Sequence, residues 1–189
     1  GYNEEAGVES INVPNTTNSF LYANRPIRPE ATFNNGGIMD LSNVPVRLII
    51  RRNGTVVYNR TGIIPDIGAG QFNKAIFVFD AFTPTEGGDY EFCFSVEYPG
   101  DPITANNQLC QVFTFRDNLN GVYTIGNTEL GKPRNFPTFD SAMNEMYRAG
   151  VRGPVTFELT DASYTLTNTN QQQPALDLSA RIIGASSTN

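Results

Sequence analysis

The 189-residue chain contains no histidine and no tryptophan. The missing histidine excludes Ser-His-Asp and Cys-His arrangements, His-ligated zinc and a histidine general base. The missing tryptophan weakens the case for the stacking platform found in many sugar-binding clefts. Among catalytic routes, carboxylate, lysine, arginine, tyrosine or serine chemistry remains.

Basic residues and long apolar runs are also scarce. Lys and Arg number 13 against 19 Asp and Glu, which gives a net charge of -6. Sequence-independent nucleic-acid binding needs clustered Lys and Arg, so we expect no nucleic-acid partner. No stretch approaches the roughly 18 to 20 apolar residues of a membrane span, so none is predicted in this segment.

Residues 89–115 carry the clearest pattern in the sequence. Apolar and polar residues alternate with a period of two on both sides of a loop rich in Pro, Gly, Asp and Asn, which is typical of half-buried strands. The apolar positions are Tyr90, Phe92, Phe94, Val96, Tyr98, Leu109, Phe113 and Phe115. The pattern predicts an antiparallel hairpin.

The two cysteines of the chain lie in this hairpin. If Cys93 faces Cys110, then Phe94 meets Leu109 and the aromatic side chains share one face, whereas a slip by one residue would turn that face outward. Cross-strand neighbours suit a disulfide, which would contribute roughly 3 kcal/mol and imply an oxidising, extracellular compartment. Two free buried cysteines are the alternative.

Short strand patterns separated by turn residues fill the rest of residues 1–117. The dipeptide Asn53-Gly54 predicts a two-residue type I′ hairpin turn, because both central residues of that turn need positive φ. The predicted pairs are Arg52 with Thr55, Ile50 with Val57, and Ile49 with Tyr58. About seven strands in all favour a two-sheet antiparallel β-sandwich.

The composition changes in residues 118–189. Residues 117–121 are predicted to be a linker, and residues 122–126, 155–159, 164–166 and 180–183 to be strands. One helix should begin after Thr138 and end at Gly150, with an apolar stripe of Phe139, Ala142, Met143, Met146 and Tyr147. This second segment has too little surface to cover its own faces, so we expect it to continue beyond residue 189.

The first segment resembles the bacterial Ig-like adhesion-related domain called CARDB. The motifs are Asn34-Asn35-Gly36, Asn43-Val44-Pro45-Val46, Gly68-Ala69-Gly70, Gly88-Asp89-Tyr90, and Pro99-Gly100-Asp101 followed by Asn106-Asn107. The resemblance implies an Ig-like antiparallel sandwich on a cell surface. The cysteine pair is a feature of only some members.

Residues 121–189 resemble the start of a right-handed parallel β-helix, capped by a helix, in large secreted Bacteroidota proteins. The motifs are Tyr123-Thr124-Ile125-Gly126, Asn135-Phe136-Pro137-Thr138-Phe139, Gly150-Val151-Arg152-Gly153-Pro154-Val155-Thr156-Phe157, and Ile183-Gly184-Ala185-Ser186. The resemblance implies export by type IX secretion, although its C-terminal sorting domain is not among these residues. Such proteins include adhesins, gliding-surface components and polysaccharide-active enzymes.

Two kinds of candidate site follow from the residues. Carboxylates at strand ends and turns are Asp80, Glu86, Asp89, Glu158 and Asp161. Acidic residues at such positions commonly serve solubility, and we predict no catalytic residue. Asp101, Asn106 and Asn107 could bind calcium together with loop carbonyl oxygens, since hard cations take oxygen ligands. The alternative is that they only stabilise turns, and no other cofactor is expected.

The sequence therefore predicts a non-catalytic section of a large extracellular or cell-surface protein, acting as a structural spacer or adhesin. Its partners would be the remainder of the same long chain and surface glycans or other cell-surface proteins. The alternatives are an accessory region of a polysaccharide-degrading β-helix enzyme, or a carbohydrate-binding module.

Overall fold

The chain forms two compact units, Gly1–Arg116 and Asp117–Asn189. The computed structural model describes residues 2–17, 19–70, 72–166 and 181–186. The chain is mainly β, as the sequence predicts. In the described ranges, no helix has the length and apolar character that crossing a membrane requires.

The first unit is a sandwich of two sheets. Its strands are β1 (Ala6–Val13), β2 (Leu21–Tyr22), β3 (Glu30–Asn35), β4 (Leu41–Arg52), β5 (Thr55–Ile67), β6 (Lys74–Val78), β7 (Gly88–Val96) and β8 (Gln108–Arg116). One sheet has the order β1-β3-β6 and the other β2-β8-β7-β4-β5. All pairs are antiparallel except β2 with β8. The predicted Ig-like β-sandwich is confirmed.

Alternate side chains of the two sheets meet in one apolar core. Val46, Leu48 and Ile50 of β4 are buried beside Phe92 and Phe94 of β7. Aromatic rings pack edge to face within this core, a favoured geometry for ring quadrupoles. The pairs include Phe92 with Phe113 at 5.4 Å and Phe79 with Phe94 at 5.7 Å between centroids.

The β7–β8 hairpin has the predicted register. Cys93 lies opposite Cys110 and Phe94 opposite Leu109, and the two cysteines form a disulfide. The cysteines therefore alternate with the side chains of the core-facing aromatic row. The aromatic face points into the sandwich because the opposite register would expose it.

The β4–β5 hairpin keeps the predicted register for the two residue pairs next to its turn and then departs from it. Arg52 pairs with Thr55 as predicted, but a β-bulge shifts the pairing so that Ile50 lies opposite Tyr58. The bulge leaves Val57 46% exposed and turns Tyr58 inward, to 7% exposed. Such a bulge inserts one residue into one strand and re-aims the side chains beyond it.

The second unit combines a small parallel sheet with one helix. Strands β9 (Leu119–Ile125), β10 (Asn135–Phe136) and β11 (Val151–Leu159) have the order β10-β9-β11, and both pairs are parallel. Helix α1 (Phe139–Ala149) lies between β10 and β11 in the sequence. The parallel sheet agrees with the resemblance, while the β-helix stays a prediction.

Helix α1 has the predicted ends. The Thr138 hydroxyl accepts a hydrogen bond from the Ser141 backbone N–H. The Ser141 hydroxyl in turn accepts a hydrogen bond from the Thr138 backbone N–H, and the two bonds form a capping box. Gly150 ends the helix with φ of 72°, a conformation that glycine adopts without strain. Ala142 and Met143 of the apolar stripe pack against Ile125 of β9.

Three predictions for the second unit are wrong. Residues 119–121 belong to β9 instead of a linker, because Leu119 is buried and Asn118 is held by its side-chain N–H donating to the Ala149 carbonyl at 2.6 Å. Residues 164–166 form no strand. The Tyr164 side chain is used in the core of the second unit, where its hydroxyl donates a hydrogen bond to the Ile125 carbonyl. Residues 181–183 form none either, and residue 180 lies outside the described residues.

Candidate functional site

Two of the candidate acidic residues hold structural contacts on the sandwich surface. Glu86 pairs with Arg52, and Asp89 accepts a hydrogen bond from the Thr114 hydroxyl at 2.5 Å. Asp80 accepts a hydrogen bond from the Tyr58 hydroxyl through its backbone carbonyl, and Glu158 is exposed on β11 of the second unit. In the part of the chain that the structure describes, no three acidic, cysteine or histidine side chains come together as a metal site.

Asp161 closes a loop of the second unit. Its carboxylate accepts hydrogen bonds from the backbone N–H of Asn127 at 2.8 Å, and from the hydroxyl and backbone N–H of Thr128 at 2.7 and 2.9 Å. These bonds, that of Asn127 first, lower the pKa of Asp161 below its usual value because they favour the ionised form. A carboxylate held ionised in this way is poorly suited to act as a general acid.

The loop between β7 and β8 is held against β1 by hydrogen bonds. The two carboxylate oxygens of Asp101 accept hydrogen bonds from the backbone N–H of Ile103 at 2.8 Å and of Ala6 at 3.1 Å. The backbone N–H of Val8 donates to the Asn106 carbonyl at 2.9 Å. The loop is thereby attached to β1, which belongs to the other sheet.

Four acceptor oxygens surround the side-chain amide of Asn107, and we call them the oxygen cluster. The orientation of the amide that satisfies its neighbours places the side-chain nitrogen of Asn107 2.7 Å from the Ile103 carbonyl oxygen, 3.0 Å from a carboxylate oxygen of Asp101, 3.0 Å from the Ala6 carbonyl oxygen and 3.1 Å from the side-chain oxygen of Asn106. All four neighbours are hydrogen-bond acceptors. The structure therefore brings Asp101, Asn106 and Asn107 together, as the sequence predicts.

The surroundings of the oxygen cluster are acidic. A carboxylate oxygen of Glu5 accepts a hydrogen bond from the side-chain N–H of Asn106 at 2.6 Å, which fixes the direction of that amide. Glu4 has a carboxylate oxygen only 3.2 Å from the point where a Cβ on Gly100 would stand. Asn34, opposite Gly7 in the β1–β3 pair, has a buried side-chain oxygen without a hydrogen-bond donor among the described residues.

Sequence reasoning missed the contribution of β1. Ala6 supplies a carbonyl oxygen and an N–H to a loop that lies 95 residues further along the chain. Ala6 is fully buried and has no functional side chain, so no local signal marks it. The loop carbonyl of Ile103, by contrast, lies between the predicted residues.

The fold defines the first unit as an Ig-like β-sandwich, and solved structures similar to the chain include CARDB domains, as the sequence motifs predict. No protein-family model matches the chain, and no curated protein matches it significantly.

Three of the similar structures are isolated domains. The crystal structure of the CARDB domain of a Pyrococcus furiosus protein, described as in complex with di-metal ions, is 23% identical, with 64% of this chain and 98% of that chain covered and a TM-score of 0.45. An NMR structure of the same domain is 22% identical, with coverages of 64% and 100% and a TM-score of 0.44. A domain of a candidate cell-surface protein of Methanosarcina acetivorans is 18% identical, with coverages of 60% and 92% and a TM-score of 0.45. Likenesses at this level say nothing about what the chain binds or does.

Proposed function

We propose that the chain is a non-catalytic section of a secreted or cell-surface protein, where it serves as a structural spacer or adhesion module. The observation that carries the proposal is the disulfide between Cys93 and Cys110 in the central hairpin of the first unit. Disulfides persist in oxidising, extracellular compartments and are rare in the cytosol. The bridge therefore favours an extracellular location.

The sandwich suits a spacer because its two sheets bury one continuous apolar core. A close-packed core resists compression and deformation. The outer face adds ion pairs between strands that lie far apart in the sequence, such as Arg47 with Glu97 at 2.7 Å. Exposed pairs of this kind contribute little stability, about 0–1 kcal/mol, and chiefly keep the surface polar.

We also propose that the second unit begins a parallel β-helix, with helix α1 as its cap. Residues Gly121 to Ile125 of β9 pair in parallel with Val155 to Leu159 of β11 without a register shift, as stacked coils do. The side chains of Phe136 and Phe157 pack with the helix over Ile125. A helix in that position protects a strand stack from edge-to-edge association.

Cellular location and cysteine state test the proposal together. An antibody against the chain should detect it on intact source cells or in their medium, and protease added outside should remove the cell-bound signal. An alkylating agent applied before reduction should label neither cysteine, and after reduction should label both. Protease-resistant protein inside the cells with both thiols free would overturn the proposal.

A comparison of enzymatic activity tests the accessory-region alternative. That alternative would be favoured if the native full-length protein cleaved a polysaccharide and this 189-residue piece did not.

A further inference from the structure

The disulfide between Cys93 and Cys110 lies on the outer face of the five-stranded sheet. Phe92 and Phe94, which flank Cys93 in β7, are fully buried in the core, so Cys93 and its partner Cys110 point to the opposite face. Neither cysteine belongs to the core cluster of the first unit. Opening the bridge therefore removes no member of the core, and we expect the sandwich to remain folded.

The two bridged residues differ in their exposure to solvent. Cys93 is 4% exposed, whereas Cys110 is exposed, as are Gln108, Gln111 and Val112 on the same stretch of β8. A reagent in the solvent therefore reaches one end of the bridge more easily than the other. Access is one of the factors that decide which sulfur of a disulfide a thiolate attacks.

The order of the strands explains this difference in exposure. Cys93 lies opposite Ile49 of β4 on one side and opposite Cys110 on the other, so its side chain stands between two neighbouring strands. Beyond β8 the next strand of the sheet is β2, which pairs only with Phe115 and Arg116. Among the described residues, no strand pairs with β8 on the far side of Cys110.

We propose that Cys110 is a site of thiol–disulfide exchange in the folded chain. A low-molecular-weight thiol, as its thiolate, attacks the Cys110 sulfur, the bond between Cys110 and Cys93 breaks, and Cys93 leaves as a thiolate. The product is a mixed disulfide between the small thiol and Cys110. One disulfide replaces another, so the step needs no oxidant, and no reactant besides the thiol.

The direction of attack also favours Cys110. A thiolate approaches a sulfur from the side opposite to the bond that breaks. For Cys110 that side lies away from β7, towards the open edge of β8. For Cys93 it lies towards β4, where the half-buried side chain of Ile49 stands directly opposite. The path to Cys110 is therefore open, and the path to Cys93 is obstructed.

The modification of Cys110 should be reversible. After exchange, Cys93 remains opposite Cys110, because its strand is paired with β4 on one side and with β8 on the other. Its thiol can attack Cys110 in turn and release the small thiol, which restores the bridge. The inference goes beyond the proposed function, since a spacer or adhesion module needs no exchangeable bridge.

Exchange through unfolding is the competing explanation. Any disulfide reacts once its chain unfolds, but a stable domain is unfolded for only about one part in several thousand of the time, or less. Exchange by that route would be slower than in the unfolded chain by the same factor. It would also accelerate steeply with urea, because urea raises the unfolded population. Direct attack on the folded chain has neither property.

The first test compares the reduction of the native chain and of the urea-unfolded chain by about 10 mM dithiothreitol. Acid stops the exchange by protonating thiolates, and mass spectrometry then counts the chains that have lost the bridge. We expect the native rate to be at least about 1% of the unfolded rate, and constant at urea concentrations below the unfolding transition. A rate below that fraction, or one that rises steeply with urea below the transition, would overturn the proposal.

Two single-cysteine variants show which sulfur is accessible. Cys93→Ser leaves only the Cys110 thiol and Cys110→Ser leaves only the Cys93 thiol, and each variant is mixed with glutathione disulfide while the mixed disulfide is followed by mass. Each rate is divided by that of the same variant unfolded in urea, which removes differences in intrinsic reactivity. We expect the ratio for Cys110 to exceed that for Cys93 by about tenfold or more. A difference below about threefold, or a faster reaction at Cys93, would overturn the proposal.

Ile49→Ala in the Cys110→Ser chain tests the obstruction beside Cys93. Removal of the side chain should raise the native rate at Cys93 by about threefold or more. Ile63→Ala in the same chain is the matched control, because Ile63 is 59% exposed and lies opposite Pro45, at a distance from Cys93. No rise with Ile49→Ala, or an equal rise with both substitutions, would contradict selective attack. A bridge that resists exchange on an extracellular chain would refute this inference while the proposed function stood.

Discussion

The two units of the chain bury apolar surface in very different ways. The first unit has a core to which all of its longer strands contribute, and the largest side chains of that core are enclosed between the two sheets. In the described part of the second unit, Ile125, Ala142 and Met143 form one buried cluster with partly buried aromatic side chains around it, and Leu119, Ala149 and Val151 are also buried. Stability in the first unit is therefore spread over many large residues, whereas in the described part of the second it depends on a few, with the contact between helix α1 and Ile125 among them.

The largest expected effect breaks that contact. Met143→Asp introduces a charge at a position that is 9% exposed and that packs against Ile125. Because an unpaired buried charge costs more than a lost methionine, which itself costs about 2–5 kcal/mol, the second unit should unfold or aggregate. Amide hydrogen exchange should show loss of protection in residues 119–159 with the first unit still protected. Unchanged protection would contradict the cap, and Glu145→Asp on the same helix is the control.

A smaller effect is expected when the large core of the first unit loses one ring. Phe92 is fully buried and contacts the rings of Phe82, Phe113 and Phe115, so Phe92→Ala should lower the free energy of unfolding of that unit by about 3–5 kcal/mol. Urea unfolding followed by tyrosine fluorescence would measure it. Phe72→Ala, at a residue that is 86% exposed, should change stability by less than about 0.5 kcal/mol. Equal effects of the two substitutions would disprove the assignment of the core.

The disulfide should make the next largest contribution to the stability of the first unit. Replacing Cys93 and Cys110 together by alanine should lower the free energy of unfolding by about 2–4 kcal/mol, since the bridge restricts the unfolded chain across 17 residues. Reducing agent should lower the melting temperature of the starting chain and leave that of the double variant unchanged. A starting chain that is insensitive to reductant would mean that the bridge does not form in solution.

The success of sequence reasoning differs between features for physical reasons. The β7–β8 register was predictable because two independent signals, apolar alternation and the Cys93–Cys110 pair, required the same alignment. The β4–β5 register was predictable only next to its Asn-Gly turn. Beyond it, the bulge at Val57 carries no residue type that marks it, and the packing of Tyr58 in the core decides the alignment.

The candidate site shows the same division. Asp101, Asn106 and Asn107 were recognisable because oxygen-bearing side chains are close together in one loop. Ala6 was not, because it contributes only backbone groups, an N–H and a carbonyl oxygen, and reaches the loop from a distant segment of the chain. Asn118 was misread for a similar reason, since its polar side chain suggests a linker and its burial depends on the Ala149 carbonyl.

The smallest expected effect concerns the helix start in the weaker unit. Thr138→Ala removes the hydroxyl that accepts the Ser141 N–H, and should cost about 1 kcal/mol. The cost should be visible because the second unit has few other enclosed contacts in its described residues, so the increment is a large fraction of its stability. Thr138→Ser keeps the hydroxyl and should restore most of the loss, as measured by hydrogen exchange across α1. If serine and alanine destabilised the helix equally, the cap would contribute nothing and the packing of Ala142 and Met143 alone would hold α1 in place.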